Sequence, residues 1–245
     1  MKNEWEKDFY AEQYEMMKTI NVKKDESLGS TLLEQAGRVP SRVLELGSGD
    51  GSLSRVLSES VKSVTAVELV TDMVEYSKGF NIPNVHYIND DFYTVSFNHS
   101  FDLILYIDGF GIGSDDDQLK LLKKIKYWMD ADGTVLIDIY HPDYWRKTAG
   151  RKMQLSKNII REYGFDKDES VMRDSWWYTG REEEAVSQHL KCYTADEIYY
   201  LCNKAGLEVT GYFPGGKMDY ETFTYYEVSP LSECMMYRIK AVHKK

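Results

Sequence analysis

The stretch Val43-Leu-Glu-Leu-Gly-Ser-Gly-Asp-Gly51 constrains the fold more than any other part of the chain. An apolar run, Arg42–Leu46, ends on glycines 47, 49 and 51, and a helix-like segment, Ser52–Ser60, follows at once. A chain that leaves a strand and re-enters as a helix within so few residues needs backbone conformations that glycine adopts at little cost. Further β-rich runs, Ser63–Glu68, Val85–Asn89, Phe101–Ile107 and Thr134–Tyr140, alternate with helical patterns at Thr71–Lys78 and Asp115–Met129. In the last of these, Leu119, Leu122, Ile125 and Met129 recur at helical spacing behind an acidic start that suits a helix N-terminus. Such alternation predicts an α/β fold: a mostly parallel sheet with helices on both faces.

The flanks differ. Residues 1–37 are helical and aromatic, with Trp5, Phe9, Tyr10 and Tyr14 ahead of a second helical patch at Ser30–Ala36. Residues 143–192 hold β-like stretches at Ile159–Phe165, Val171–Tyr178 and Ala185–Tyr193, which predict a small antiparallel insertion. The alternating scheme then resumes. Thr194 with Glu197 forms a capping-box pattern and Gly206 a C-cap, before closing strands at Leu207–Phe213 and Met235–Val242. The expected organisation is a helical lid over 1–37, a ligand-binding domain over 38–142 and 193–245, and the insertion over 143–192 covering the site.

Charge narrows the partners. The net charge is −10, and a nucleic-acid binder needs a basic footprint. The basic clusters are short, such as Lys120, Lys123, Lys124 and Lys126, which read as the solvated face of a helix. Cys192, Cys202 and Cys234 lack paired spacing, so neither a disulfide framework nor a metal site is implied. The charged N-terminus lacks a signal peptide's apolar stretch and no run is long enough to span a membrane, which together imply a cytoplasmic protein.

Three carboxylates fall in phase with the glycine turn. Glu45 lies at the end of the first strand, Glu68 at the end of the second and Asp90 after the third. Ligands of this architecture lie across that same edge. Glu68 is placed for ribose hydroxyls and Asp90 for an adenine amino group, while Glu45 would repel a pyrophosphate and suits an ammonium. Position 52 is Ser, where a dinucleotide fingerprint has its third glycine. A nucleoside with an amino-acid tail satisfies all of these features.

On these residues the chain resembles the class I S-adenosylmethionine-dependent methyltransferases. The resemblance is carried by Glu45-Leu-Gly47-Ser-Gly49-Asp-Gly51, Glu68, Asp90-Asp91-Phe92, Phe101-Asp102-Leu-Ile-Leu-Tyr106 and Leu121–Asp138. It implies a Rossmann-like seven-stranded sheet and S-adenosylmethionine as cofactor, with S-adenosylhomocysteine as product. Carried over position by position, Glu45, Gly47, Ser48, Gly49 and Gly51 would hold the methionine part. Glu68 would bind the ribose, Asp90 with the Asp91 and Phe92 backbone would bind the adenine, and Leu69 and Met73 would also contact the cofactor. The Tyr106 carbonyl would face the amino group, and Tyr14 would close over the cofactor.

Methyl transfer asks chiefly for alignment of nucleophile, methyl and sulfur, with a base where the acceptor must lose a proton. The negative charge, aromatic N-terminus and insertion imply a small-molecule acceptor, methylated on nitrogen or oxygen. Tyr10, Asp108, His141, Tyr144 and Trp176 are the candidate acceptor contacts, and His141 and Asp108 the candidate bases. Each has a structural alternative: His141 as a bonded residue before a proline turn, Asp108 as a loop cap, and Tyr10, Tyr14 and Trp176 as core aromatics. A nicotinamide-dependent oxidoreductase, a non-catalytic sensor and an RNA or protein methyltransferase are the rival readings.

Overall fold

The structure, a computed structural model, describes residues 5–20 and 27–244. Parts of the expected lid, 1–4 and 21–26, therefore lie outside the described residues. Helices α1 (Trp5–Met17) and α2 (Leu28–Ala36) lead into an alternating core. This core comprises β1 (Arg42–Leu46), α3 (Ser52–Ser58), β2 (Ser63–Glu68), α4 (Thr71–Lys78), β3 (Val85–Asn89), β4 (Phe101–Tyr106), α5 (Asp115–Trp128) and β5 (Met129–Tyr140). There follow α6 (Pro142–Thr148), the strands β6 (Lys152–Ser156), β7 (Ile159–Asp166), β8 (Val171–Tyr178) and β9 (Val186–Lys191), then α7 (Ala195–Ala205). The last elements are β10 (Leu207–Pro214), a short β11–β12 hairpin (Lys217–Asp219, Thr224–Tyr226) and β13 (Met236–His243).

The central sheet has seven strands in the order β3-β2-β1-β4-β5-β13-β10. β1 to β5 pair in parallel, and β13 runs antiparallel to both of its neighbours. Because helices cover both faces, the inner strands are apolar over most of their length, as parallel strands tend to be; Leu103, Ile104 and Leu105 are almost wholly buried. On one face α5 and α7 contribute Leu121, Ile125, Ile198 and Cys202 to the core. On the other, Leu32 of α2 and Leu57 of α3 pack on Val43, Val64 and Leu136. The predicted cap forms as a capping box at Thr194 with Glu197, Gly206 ends α7 with φ 79°, and a second capping box, at Ser114 with Asp117, starts α5.

The insertion is a four-stranded antiparallel sheet, β6-β7-β8-β9. α1 lies against β9, where Phe9 and Met16 pack with Ile159 and Trp176. Thus α1 is fastened to the insertion rather than to the central sheet. Its far side reaches α4, where the Tyr14 and Tyr76 rings meet edge to face at 6.4 Å. The helix thereby crosses the carboxyl edge of the strands.

Three local features differ from the sequence expectation. The Ala131-Asp-Gly133 segment is not a free turn, because β5 runs from Met129 and absorbs the segment at a bulge opposite Phe101 and Leu103. The stretch after His141 is helix α6, started by Pro142 at its first position, where a missing N–H costs nothing. The β11–β12 hairpin is too short to leave a periodic pattern. No helix among the described residues is long and apolar enough to cross a membrane.

Candidate active site

The glycine turn is built as its sequence suggests. Gly47, Gly49 and Gly51 all have positive φ, at 71°, 55° and 69°. Their surroundings differ. A Cβ on Gly51 would lie 2.7 Å from Ser77 Oγ and 2.8 Å from the Tyr87 ring, whereas one on Gly49 would meet nothing within 4 Å. Gly51 therefore serves packing, and Gly49 opens onto free space. The Ser48 hydroxyl is buried without a hydrogen-bond partner among the described residues, a group for which a ligand atom is the natural complement.

Glu68 clasps this turn. Gly49 N–H donates to its Oε2 at 2.8 Å and Val70 N–H to its Oε1 at 2.9 Å. A carboxylate has about four acceptor positions, so beyond its backbone contacts the side chain retains capacity for a hydroxyl donor. Burial raises its pKa against the lowering effect of those backbone bonds. Leu69 is half-buried beside it and Met73 buried on α4. Asp90 is exposed, and its Oδ1 accepts from Asp91 N–H (2.7 Å) and Thr94 Oγ1 (2.9 Å). Phe92 stacks against Tyr106 at 5.1 Å between ring centres, and Tyr106 donates its own hydroxyl to Gly109 O at 2.7 Å.

Glu45 is placed differently from a ligand-facing carboxylate. It is buried beneath α3 and accepts a hydrogen bond from the Ser54 hydroxyl. Burial pushes its pKa up to about 8, the Ser54 bond opposing the shift. At neutral pH the free protein thus holds it largely protonated. These features fit S-adenosylmethionine at Gly49, Ser48 and Glu68, with Glu45 entering as a neutral group.

A second cluster lies at the ends of β4 and β5. Asp108 is a non-glycine residue with φ 55°, a conformation that costs free energy and persists where neighbours enforce it. Here Tyr140 donates its hydroxyl to Asp108 Oδ1, and Asp108 N–H donates to Asp138 Oδ2 at 3.3 Å. Asp138 is in turn fixed by Arg238 through Nε at 2.7 Å and Nη2 at 3.1 Å. Asp108 keeps an exposed surface although protein surrounds it closely, as a group on the floor of a cleft does. That environment raises its pKa to about 6 by desolvation, against the Tyr140 bond.

Tyr10 donates to Gln188 Oε1 at 3.2 Å, and its hydroxyl lies within the electrostatic reach of Asp108 and Glu68. The structure thus brings Tyr10, Asp108 and Glu68 to one edge. Tyr14 sits farther along α1, under Lys18 at 4.3 Å and near Asp50. His141 is not brought to the cluster. β5 alternates, so Tyr140 faces Asp108 while His141 faces the other way, with its ring 6.0 Å from Tyr237. His141 Nδ1 accepts from Asp143 N–H at 3.3 Å, capping α6, and burial lowers its pKa. Tyr144 is buried and donates to Met218 O at 3.3 Å. Trp176 is buried against α1 and donates to Asp174 Oδ1 at 3.0 Å.

Sequence reasoning missed Tyr140, the immediate partner of Asp108, and the Arg161–Asp174–Gln188 group on the inner face of the second sheet. Strand alternation from His141 would have found Tyr140. Nothing local marks the second group, because it is assembled from three strands.

Comparison with known proteins agrees with this fold. The CcbJ methyltransferase from Streptomyces caelestis superposes with a TM-score of 0.74 at 16% identity, covering 98% of both chains. CalS10, an amino pentose methyltransferase from Micromonospora echinaspora in its S-adenosylmethionine-bound form, gives 0.65 at 16%, covering 95% of this chain and 97% of its own. An uncharacterized methyltransferase of Staphylococcus carnosus is 25% identical over 134 residues, spanning 52% of this chain and 63% of that protein's length. The methyltransferase-domain family model matches residues 21–211. With the seven-stranded order, the glycine turn and the Glu68 clasp in place, the chain belongs to the methyltransferase-domain family.

Proposed function

We propose that the protein transfers a methyl group from S-adenosylmethionine to a nitrogen or oxygen of a small-molecule acceptor held between the sheet edge, α1 and the inner face of the second sheet. The observation that carries this reading is Asp108: a strained, tethered carboxylate at the sheet edge, in electrostatic reach of Tyr10, which also feels the cofactor-clasping Glu68. Names of similar proteins point the same way, since CalS10 acts on an amino pentose and KedS8 is a sugar N-methyltransferase. The acidic composition and the absence of a basic footprint in the sequence favour a small acceptor over a nucleic acid. Three unpaired, buried cysteines suit a reducing, cytoplasmic setting.

When bound, S-adenosylmethionine supplies an electrophilic methyl whose carbon–sulfur electrons return to sulfur as the new bond forms. The protein's part is alignment and proton handling. Glu68 offers its remaining acceptor capacity to the ribose, Ser48 and the Gly49 backbone adjoin the amino-acid tail, and Asp91 and Phe92 border the adenine. Tyr14 and Tyr10 close the cleft from α1. Asp108 orients the acceptor and takes its proton, Tyr140 holding the carboxylate in register. His141, as the cap of α6, acts on the acceptor only indirectly.

Calorimetric titration with S-adenosylmethionine, S-adenosylhomocysteine and a nicotinamide dinucleotide tests the cofactor. Dinucleotide binding with no response to the sulfur ligands sinks the reading. Once an acceptor is found, Asp108→Asn should lower kcat by about 10²-fold or more, the range of general-base contributions, and His141→Ala should leave it near normal. The reverse pattern would move the base to His141.

A further inference from the structure

The inner face of the second sheet carries an ion pair unlike the surface pairs elsewhere. Asp174 is completely buried and accepts four hydrogen bonds: Arg161 Nε (2.7 Å), Arg161 Nη2 (2.8 Å), Trp176 Nε1 (3.0 Å) and Gln188 Nε2 (3.0 Å). The Arg161 guanidinium is stacked on Tyr163 and Trp176, at 4.6 and 4.9 Å from their ring centres. A buried pair of this kind is weak support for stability, because well-packed apolar residues do as well or better. It does fix a planar cation in position and orientation.

The donor count shows what that orientation leaves over. Arg161 has five N–H groups, of which Asp174 takes one on Nε and one on Nη2. No acceptor among the described residues takes the others, although the side chain is only 25% exposed. The guanidinium lies within electrostatic reach of Asp108 and Tyr140, and its anchor Asp174 also holds Gln188, the residue to which Tyr10 of α1 donates. Charge then decides what the fork receives. Glu68, Asp108 and Asp174 outnumber Arg161, and Asp138 is already neutralised by Arg238. A carboxylate or phosphate entering here meets excess negative charge, whereas a cationic amine is favoured and an uncharged oxygen can still accept from the fork.

Resting on the methyltransferase reading above, we propose that Arg161 is the specificity-determining contact for the acceptor. It donates from its free end to a hydroxyl or carbonyl oxygen of an amine whose nitrogen lies at Asp108, and the site rejects amines that carry a carboxylate. The probes are aminocyclohexanol, cyclohexylamine and aminocyclohexanecarboxylate, titrated by NMR into the full chain saturated with S-adenosylhomocysteine. Saturation is first established by calorimetry. Aminocyclohexanol should bind at least about 10-fold more tightly than cyclohexylamine, the scale of a hydrogen bond to a charged group, and the carboxylated amine should bind weakest. Arg161→Lys keeps a cation beside Asp174 but loses the fork, and it should bring the alcohol-to-alkyl ratio close to one. This ratio is insensitive to partial unfolding, which lowers both affinities together. Equal binding of the three amines, preference for the carboxylated one, no binding of any, or an unchanged ratio in Arg161→Lys overturns the proposal while leaving the cofactor reading intact. Failure to bind S-adenosylhomocysteine overturns both.

Discussion

Glu45→Gln tests how the glycine turn is supported, and its size follows from the burial of one carboxyl. Glu45 has a pKa of about 8 in the folded protein against 4.5 when unperturbed, because burial beneath α3 disfavours its charged form. Between those values the folded state holds a proton that the unfolded chain has released, so stability falls as pH rises through this window and levels off above it. Each pKa unit corresponds to about 1.4 kcal/mol. Raising pH from about 6 to about 9 crosses roughly two units of the window, so this group alone removes roughly 3 kcal/mol. Glutamine keeps a carbonyl to accept from Ser54 and has no proton to lose. In urea unfolding at the two pH values, the wild type should lose that much more stability than the variant. Parallel pH dependences would refute the reasoning, since they would mean that Glu45 is ionised in the fold.

The same carboxyl reports on the ligand. If the cofactor's ammonium lies beside Glu45, binding favours the charged form and releases a proton near neutral pH. Calorimetry of S-adenosylhomocysteine binding in buffers of different ionisation enthalpy should detect that proton in the wild type and not in Glu45→Gln. Equal proton release by both proteins would leave Glu45 as a contact between sheet and α3 only.

Gly51→Ala should destabilise the fold by roughly 1–3 kcal/mol, as overpacking against Ser77 and Tyr87 does, read as a lower urea midpoint. Gly49→Ala meets no neighbour and should cost about 1 kcal/mol of backbone strain, yet lose S-adenosylhomocysteine affinity in calorimetry; equal affinity would place the ligand elsewhere. Glu68→Ala removes charge-assisted acceptors and should weaken that affinity by about 10- to 100-fold, while circular dichroism reports a folded protein. With Asp108 active as a base only when ionised, kcat/KM should rise with pH through about 6 and then flatten. The Asp108→Asn variant should lack that limb, and a rise centred elsewhere would assign the base to another group.

The central sheet was legible because its signals are local. Parallel strands buried on both faces are largely apolar runs, and the caps at Thr194 and Gly206 are short-range chemistry that tertiary contacts did not override. The misreadings fall where packing, not propensity, sets the outcome. Met129 reads as a helical position by spacing, yet it joins β5 because Phe101 is there to pair with it. Pro142 reads as a turn until the buried rings of Tyr144 and Trp145 give the segment after it a face to bury.

For the site, sequence located the edge but not the direction of each side chain. Glu45, Glu68 and Asp108 all occupy strand ends, and spacing alone makes them equivalent. The fold separates them by which face each strand end presents: Glu68 turns to the glycine loop, Asp108 to the cleft and Glu45 into the interior. The same parity takes His141 away from Asp108 and brings in Tyr140, one residue earlier. Burial then gives similar carboxyls different work. Glu45 is held neutral where a charge would have no partner, Asp108 is poised near a pH at which a base is useful, and Asp174 serves as the anchor of Arg161 through two hydrogen bonds. The cofactor end of this division is built on adjacent residues and therefore shows in a single chain. The acceptor end is assembled from α1, β5, β7, β8 and β9, whose alignment exists only once α1 has packed on the second sheet. On the proposed reading, acceptor choice rests on contacts between segments distant in the chain, where Arg161, Asp174 and Gln188 meet.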